Sequence, residues 1–490
     1  MRHDRIRTWV IVLTALSLLF WSSLAWAVMP RNVILMICDG QGFNTIKATN
    51  YWTATTPVYE TFSVKYAVST FSAWEIGPPP IPAIGYDTDR AWSDFNYALN
   101  SATDSAAAAS ALATGVKVYN NQLNISATGM PLKTITEIAG DLGKASGVVT
   151  TVQWSHATPA GMFAHNPSRS NYTEIAKEML GHTSPLSVIM GAGNPGFDDN
   201  GMPAANSTQY VGGDTTWSQL TSGTHPQGWS LIQAKEEFEA LANNPNPSAS
   251  KVVGTFQAYN TTQRNRTLAV KGADAGNPSG VAFNTTVPSL AAMSKGALNI
   301  LNKTPQGFFL MVEGGAVDWA SHANNLGGMI EEQMDFNAAV QTVVEWVNVN
   351  SNWNDTLLLV TADHETGFLW GPIKGTFNEI VNNGQGVLPG ASYNTGNHSN
   401  SLVPVHAIGA GSQLLVGYAN QKDLVRGRYV DNTEIFQVMN GNAVVPQAIL
   451  LLLSRLDFFL PYCRPAASPP FLVNRRIPRL LSIFSRISTY

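Results

Sequence analysis

Several carboxylate and imidazole side chains in this chain are spaced so that they could share a cation. Asp318 and His322 are four residues apart, so on one helical turn they point the same way and can hold a metal together. Glu313 precedes them at the end of the apolar run Phe308-Phe309-Leu310-Met311-Val312. Asp363-His364 offers an adjacent carboxylate and imidazole after a second apolar run, and Asp39 and His398 complete the set. Carboxylate and imidazole donors without cysteine favour zinc, with magnesium where oxygens dominate. One such pair alone is as readily a surface acid or a satisfied core histidine. Repetition at the ends of apolar runs is what argues for chemistry.

A nucleophile candidate lies in Thr103-Asp104-Ser105-Ala106-Ala107-Ala108-Ala109-Ser110-Ala111-Leu112-Ala113-Thr114-Gly115. Alanine has the best helix propensity, an acid before serine suits a helix start, and Thr114-Gly115 suits a stop. Ser105 then sits in the first turn, where free N–H groups and the helix dipole favour an anion such as phosphate. Taken alone, the segment reads equally as a close-packed alanine helix with a cap. No His–Asp pair accompanies the serine, so a divalent cation is the expected activator.

The elements that must position these residues can be read in order. Arg31 to Gly40 is a continuous apolar run ending in Asp39-Gly40, the pattern of a strand buried on both faces. Strands are also expected at Ala145–Val152, Leu186–Met190, Phe308–Val312, Leu357–Val360 and Val403–Ile408. Helices are expected at Thr134–Leu142, Ile232–Asn243, Ser289–Leu301 and Glu331–Val349. Residues 50–100, 194–285 and 365–395 read as irregular insertions rich in Gly, Asn, Thr, Ser or Pro. Strands alternating with helices, and ionisable residues just past strand ends, predict one doubly wound α/β domain over residues 28–441.

Composition narrows the function classes. Of 490 residues 44% are hydrophobic, enough for a large core, and only 13% are charged. Residues 1–27 carry +2 and residues 442–490 carry +5, so a total of −4 leaves −11 on the body. An acidic body argues against a nucleic-acid-binding surface and suits bound cations. Arg2, Arg5 and Arg7, the apolar run Trp9–Phe20 and Ala25-Trp26-Ala27 form a secretory signal peptide pattern, predicting a periplasmic or extracellular protein. Cys38 and Cys463 sit in unlike contexts and predict no disulfide framework. From Asn442 the chain is apolar and then rich in Arg and Pro. It reads as a surface anchor, a sorting signal or a frameshifted end.

The motifs Asp39-Gly40, Thr103-Asp104-Ser105-Ala106-Ala107-Ala108, His156-Ala157-Thr158-Pro159-Ala160, Val312-Glu313-Gly314-Gly315, Asp318 with His322, Thr361-Ala362-Asp363-His364 and Gly396-Asn397-His398 occur in one order across residues 32 to about 410. In these the chain resembles the bacterial alkaline phosphatases. The resemblance implies a three-layer αβα sandwich with a large, mostly parallel central sheet. It also implies phosphate monoester hydrolysis through a phosphoserine at Ser105. Two Zn2+ would be held, one by Asp318, His322 and His398, the other by Asp39, Asp363, His364 and Ser105. A third site, for Mg2+ or Zn2+, would use Asp39, Thr158, Glu313 and His156, and Arg169 would grip two phosphate oxygens. A homodimer acting on small phosphomonoesters is implied too.

Departures fall at the third site. His156 stands where some members carry Asp, and Trp319 stands where others carry Lys or His. Ser399 follows His398 where Thr is commoner. Imidazole is softer than carboxylate and admits zinc as well as magnesium. The competing reading is a phosphodiesterase or sulfatase-like metallohydrolase on the same fold, although the sulfatase pattern Cys-x-Pro-x-Arg is absent.

Overall fold

Eleven strands form one sheet, seen in a computed structural model that describes residues 29–73, 85–267 and 277–444. From one edge to the other the strands are Gln421–Asp423, Gly427–Asp431, Val64–Ser69, Val403–Gly409, Thr356–Thr361, Asn32–Cys38, Phe308–Gly314, Ala145–Gln153, Leu186–Ala192, Val252–Thr255 and Ser230–Ile232. The seven from Thr356–Thr361 to Ser230–Ile232 run parallel. Val403–Gly409 is antiparallel to both of its neighbours. This is the large, mostly parallel α/β sheet that the resemblance implies.

The Asn32–Cys38 strand shows why the sequence reads as it does. Val33, Leu35 and Ile37 enter one apolar cluster with Ala106, Leu112, Ile135 and Ile175. Ile34, Met36 and Cys38 enter the other with Ala297, Leu298, Val340 and Val343. Alternate side chains point to opposite faces, so a strand covered by helices on both sides must be apolar throughout. The helices Ser105–Thr114, Ile135–Asp141 and Tyr172–Leu180 supply the first layer, and Leu290–Leu301 and Leu326–Asn350 supply the second.

Three expectations change. Residues 50–100 are not wholly irregular, because Val64–Ser69 joins the sheet interior; its pattern VKYAVS is short and hidden among aromatic and proline-rich flanks. Residues 194–285 contribute Ser230–Ile232 and Val252–Thr255 to one edge of the sheet, so Ile232 lies in a strand and the helix begins at Lys235. The long helix starts at Leu326, five residues earlier than its apolar pattern suggests. Asn325 caps it through a bond from Gly328 N–H at 2.9 Å, and the glycines after the cap mask the periodicity. The signal-peptide segment 1–27 and most of the 442–490 tail lie outside the described residues. Among the described residues no helix is long and apolar enough to cross a membrane.

Candidate active site and metal centre

Ser105 is the first residue of the helix Ser105–Thr114, every residue of which is buried. Asp104 caps that helix, its Oδ1 accepting the Ala107 N–H at 2.9 Å. Its Oδ2 accepts the Asn121 N–H at 3.0 Å and lies 3.0 Å from Arg169 Nη1. One carboxylate therefore fixes both the helix start and the guanidinium. The Arg169 N–H in turn donates to Asn121 O at 2.8 Å, tying the arginine's backbone to the same loop.

Strand ends bring the other residues together. Asp39, Glu313 and Asp363-His364 end or follow three adjacent parallel strands, at the carboxyl edge where open α/β sheets hold ligands. His364 Nε2 lies 3.2 Å from Ser105 Oγ, 3.1 Å from Asp363 Oδ2 and 3.6 Å from Asp39 Oδ1. The helix Ala316–His322 places Asp318 and His322 one turn apart. Asp318 Oδ1 is 3.3 Å from His322 Nε2 and 3.4 Å from His398 Nε2, and those two nitrogens are 3.0 Å apart. Donor atoms of Asp39, Asp363 and His364, and of Asp318, His364 and His398, lie within 4.8 Å of one another in each group.

Ser105 thus has His364 beside it, a member of the same implied ligand group. The contact is nonetheless not that of a proton relay. A relay uses opposite ring nitrogens for serine and acid, whereas His364 turns the same Nε2 to Ser105, Asp363 and Asp39. Donors aimed at one point are the arrangement of ligands.

Backbone oxygens set the imidazoles. His322 Nδ1 is 2.6 Å from Gly396 O and His398 Nδ1 is 2.8 Å from Thr103 O, so each ring leaves Nε2 facing inward. Thr366 Oγ1 donates to Asp318, and Gly40 N–H donates to Asp363 Oδ1 at 3.2 Å. Asp104, Thr366 and the two carbonyls escaped sequence reasoning. Only a fold brings residues so far apart in the chain into contact, although Asp104 and Gly396 lie within motifs already noted.

Glu313 faces Thr150, Thr158 and Asp39, and Thr158 Oγ1 is 3.5 Å from Asp39 Oδ2. His156 is set differently. Its ring stacks on Tyr172 with centroids 6.2 Å apart and meets the Trp319 ring edge-on at 5.8 Å. No hydrogen bond joins it to Glu313, Thr158 or Asp39 among the described residues.

The electrostatics call for positive charge. Burial, then Asp363, Asp318 and Glu313, pushes the Asp39 carboxyl well up. Burial pushes Glu313 up to about 7 and Asp363 up to about 6, Asp318 adding to the latter. Burial also raises Asp318, but hydrogen bonds from His322 and His398 prevail and hold it well below the usual carboxylate range. Burial holds His364 well down and lowers His156 to about 3. Asp39 Oδ1, Asp363 Oδ2, Glu313 Oε1 and His156 Nδ1 are buried without a hydrogen-bond partner. Buried carboxylates persist when paired or bound to metal, and these oxygens with the inward Nε2 atoms fit divalent cations of the zinc and magnesium kind.

A serine at a helix start, two carboxylate–imidazole groups and an anchored arginine at the carboxyl edge of a mostly parallel sheet define a class of α/β protein whose side chains could hold cations beside a serine hydroxyl. The alkaline phosphatase family model matches residues 30–387, and the chain belongs to that family. It is 29% identical to an alkaline phosphatase of Escherichia coli (strain K12), over 80% of this chain and 84% of that protein. It is 32% identical to alkaline phosphatase 4 of Bacillus subtilis (strain 168), over 69% of this chain. The chain spans 62% of that relative's length and 61% of that of alkaline phosphatase 3 of the same organism. The solved structure of alkaline phosphatase from the Antarctic bacterium TAB5 superposes with a TM-score of 0.59 at 26% identity, covering 84% of this chain and 97% of that one.

Proposed function

We propose that the protein hydrolyses phosphate monoesters through a phosphoserine at Ser105. The observation that carries this reading is Ser105 Oγ at a helix N-terminus, 3.2 Å from His364 Nε2, with Arg169 held by the Asp104 cap of the same helix. Arg169 presents two N–H groups to non-bridging phosphate oxygens, and its fixed anchor orients the phosphorus in line with Ser105. Ser105 Oγ then attacks. The Ser–O–P bond forms, the P–O bond to the alcohol breaks, and the alcohol leaves with a proton. Water attacks the phosphoserine, restoring the hydroxyl and releasing inorganic phosphate.

Asp318, His322 and His398 would hold one Zn2+, and Asp39, Asp363 and His364 with Ser105 the other. Glu313, Thr158 and Asp39, with His156 close by, would hold a third ion. When bound, these ions lower the serine pKa and stabilise developing charge on attacking and leaving oxygens. A TAB5 variant with a histidine replaced by Asp, 25% identical to this chain with a TM-score of 0.57, has Mg bound in its M3 site, and with His156 present here the third ion is Mg2+ or Zn2+. Export through the 1–27 segment and a homodimeric state belong to the same reading.

Arg169 and the metal ligands recognise a dianionic terminal phosphoryl group, so monoesters are the substrate class. The test is the ratio of kcat/KM for an aryl phosphate monoester over the matching diester with zinc-loaded protein. A ratio above about 100-fold is expected, the scale of a few kcal/mol of transition-state discrimination. A diester preference would overturn the reading.

A further inference from the structure

A second acidic cavity lies away from the metal ligands. Its volume is about 440 Å³, and its walls are the long helix Leu326–Asn350, Thr262 with Gln263, and residues 283–289. Glu239, Glu331, Glu332 and Asp335 line it with one cation, Lys235, and with no histidine or cysteine.

Two of these carboxylates are compensated. Glu331 takes Arg266 Nη2 at 2.6 Å on one oxygen, and the Ser279 N–H and hydroxyl at 3.0 and 2.6 Å on the other. Glu239 lies 3.7 Å from Lys235 Nζ. Asp335 has a single hydrogen bond, from the Leu290 N–H at 3.3 Å. Glu332 has none among the described residues; it is 3% exposed and its Oε1 is buried without a partner. The hydroxyl of Thr262, 2% exposed, also lacks one.

Burying a carboxyl without partners is costly, and nothing in the packing of an apolar core would call for it. Burial, with Asp335 next, pushes Glu332 up to about 8, and burial pushes Asp335 up to about 6. Arg266 and Arg264 offset part of this for Glu332, but Arg266 is committed to Glu331. Glu332 and Asp335 are three apart on one helix and so share a side of it. With Arg266 on Glu331 and Lys235 on Glu239, Arg264 alone is left against Glu332 and Asp335, so a surplus negative charge remains in a space with room for an ion and its waters. Hard divalent cations of the calcium type take such oxygens, six to eight about each ion, and tolerate irregular geometry.

We propose that this cavity binds a hydrated calcium ion through Glu332 and Asp335, with the Thr262 hydroxyl and water completing its shell. Entry of the ion releases the Glu332 proton to solvent. The bound ion ties the long helix, which directly follows Asp318 and His322 in the chain, to the Thr262 and 283–289 segments. Its effect is on stability and not on the phosphoryl chemistry.

The experiment is a calorimetric titration of zinc- and magnesium-saturated protein with calcium chloride, alongside thermal melts. One binding event per chain and a higher Tm with calcium are expected. Glu332→Gln and Asp335→Asn each weaken calcium binding at least about tenfold, the scale of losing one charged ligand. Without calcium, Glu332→Gln melts at or above the wild-type temperature, which removal of a merely structural carboxylate would not give. In wild-type protein at pH 7, titrations in buffers of different ionisation enthalpy show about one proton released per ion bound. Absence of calcium binding to the metal-saturated wild type, unchanged affinity in both variants, or binding without proton release would overturn the proposal.

Discussion

Asp104 shows how one residue can serve two scales of structure. Its Oδ1 caps the Ser105 helix and its Oδ2 holds Arg169. Substitutions separate the two tasks. Asp104→Asn retains a good cap, so its Tm should stay near wild type, while losing the charge that orients Arg169 should raise KM with a smaller change in kcat. Asp104→Ala should lose the cap as well, costing about 1 kcal/mol of stability. Steady-state kinetics and thermal melts on both variants check this; equal KM in all three proteins would show that Arg169 needs no anchor. The sequence pointed to Ser105 and to the ligand residues because each lies in a short motif at a strand or helix end. It could not show that Thr103 and Gly396 carbonyls aim the imidazoles of His398 and His322, since backbone groups leave no signature in residue type.

Among elements, the turn after the Asn32–Cys38 strand is the tightest constraint. Gly40 has φ of +78°, and a Cβ there would lie 2.8 Å from Asp318 Cα. The turn must therefore be glycine for two reasons, conformation and the close approach of the Ala316–His322 helix. Gly40→Ala should destabilise the protein by about 1–3 kcal/mol and weaken metal retention, as Asp39 and Asp318 are pushed apart. Urea unfolding and metal analysis after gel filtration measure both, and wild-type values in each would contradict the packing described. The doubly covered strands were legible in the sequence, because burial on both faces leaves a continuous apolar run. Val64–Ser69, Val252–Thr255 and the edge strand Ser230–Ile232 were not, being three to six residues long with no such run.

At the scale of the whole molecule, the core is organised so that negative charge gathers at one edge of the sheet. Without metal that arrangement should be pH-sensitive in a definite direction. Burial tends to lower His322, but Asp318 prevails and brings it up to about 9, while burial holds Glu332 up to about 8. Both groups bind more protons folded than unfolded between pH 7 and their raised values, so their contribution to stability is lost as pH rises through that window. Metal-free protein should therefore unfold at progressively lower urea concentration from pH 7 to 9, and zinc should remove the part due to His322, since an ion binding only the native state through the neutral imidazole stabilises it by mass action. Stability of the metal-free protein rising over that range would contradict this electrostatic picture. Sequence charge alone already placed the acidic surplus in residues 28–441, but not at this edge.

The central claim is that Ser105 is a nucleophile activated by cations that its neighbours hold. The most direct measurement is acid quenching of the zinc-loaded protein during turnover of a phosphate monoester, followed by mass spectrometry of its peptides. The account predicts one phosphoryl group on the peptide beginning near Thr103, located on Ser105, and none in Ser105→Ala or in protein stripped of metal. A phosphoryl group on another residue, or full turnover by Ser105→Ala, would contradict it.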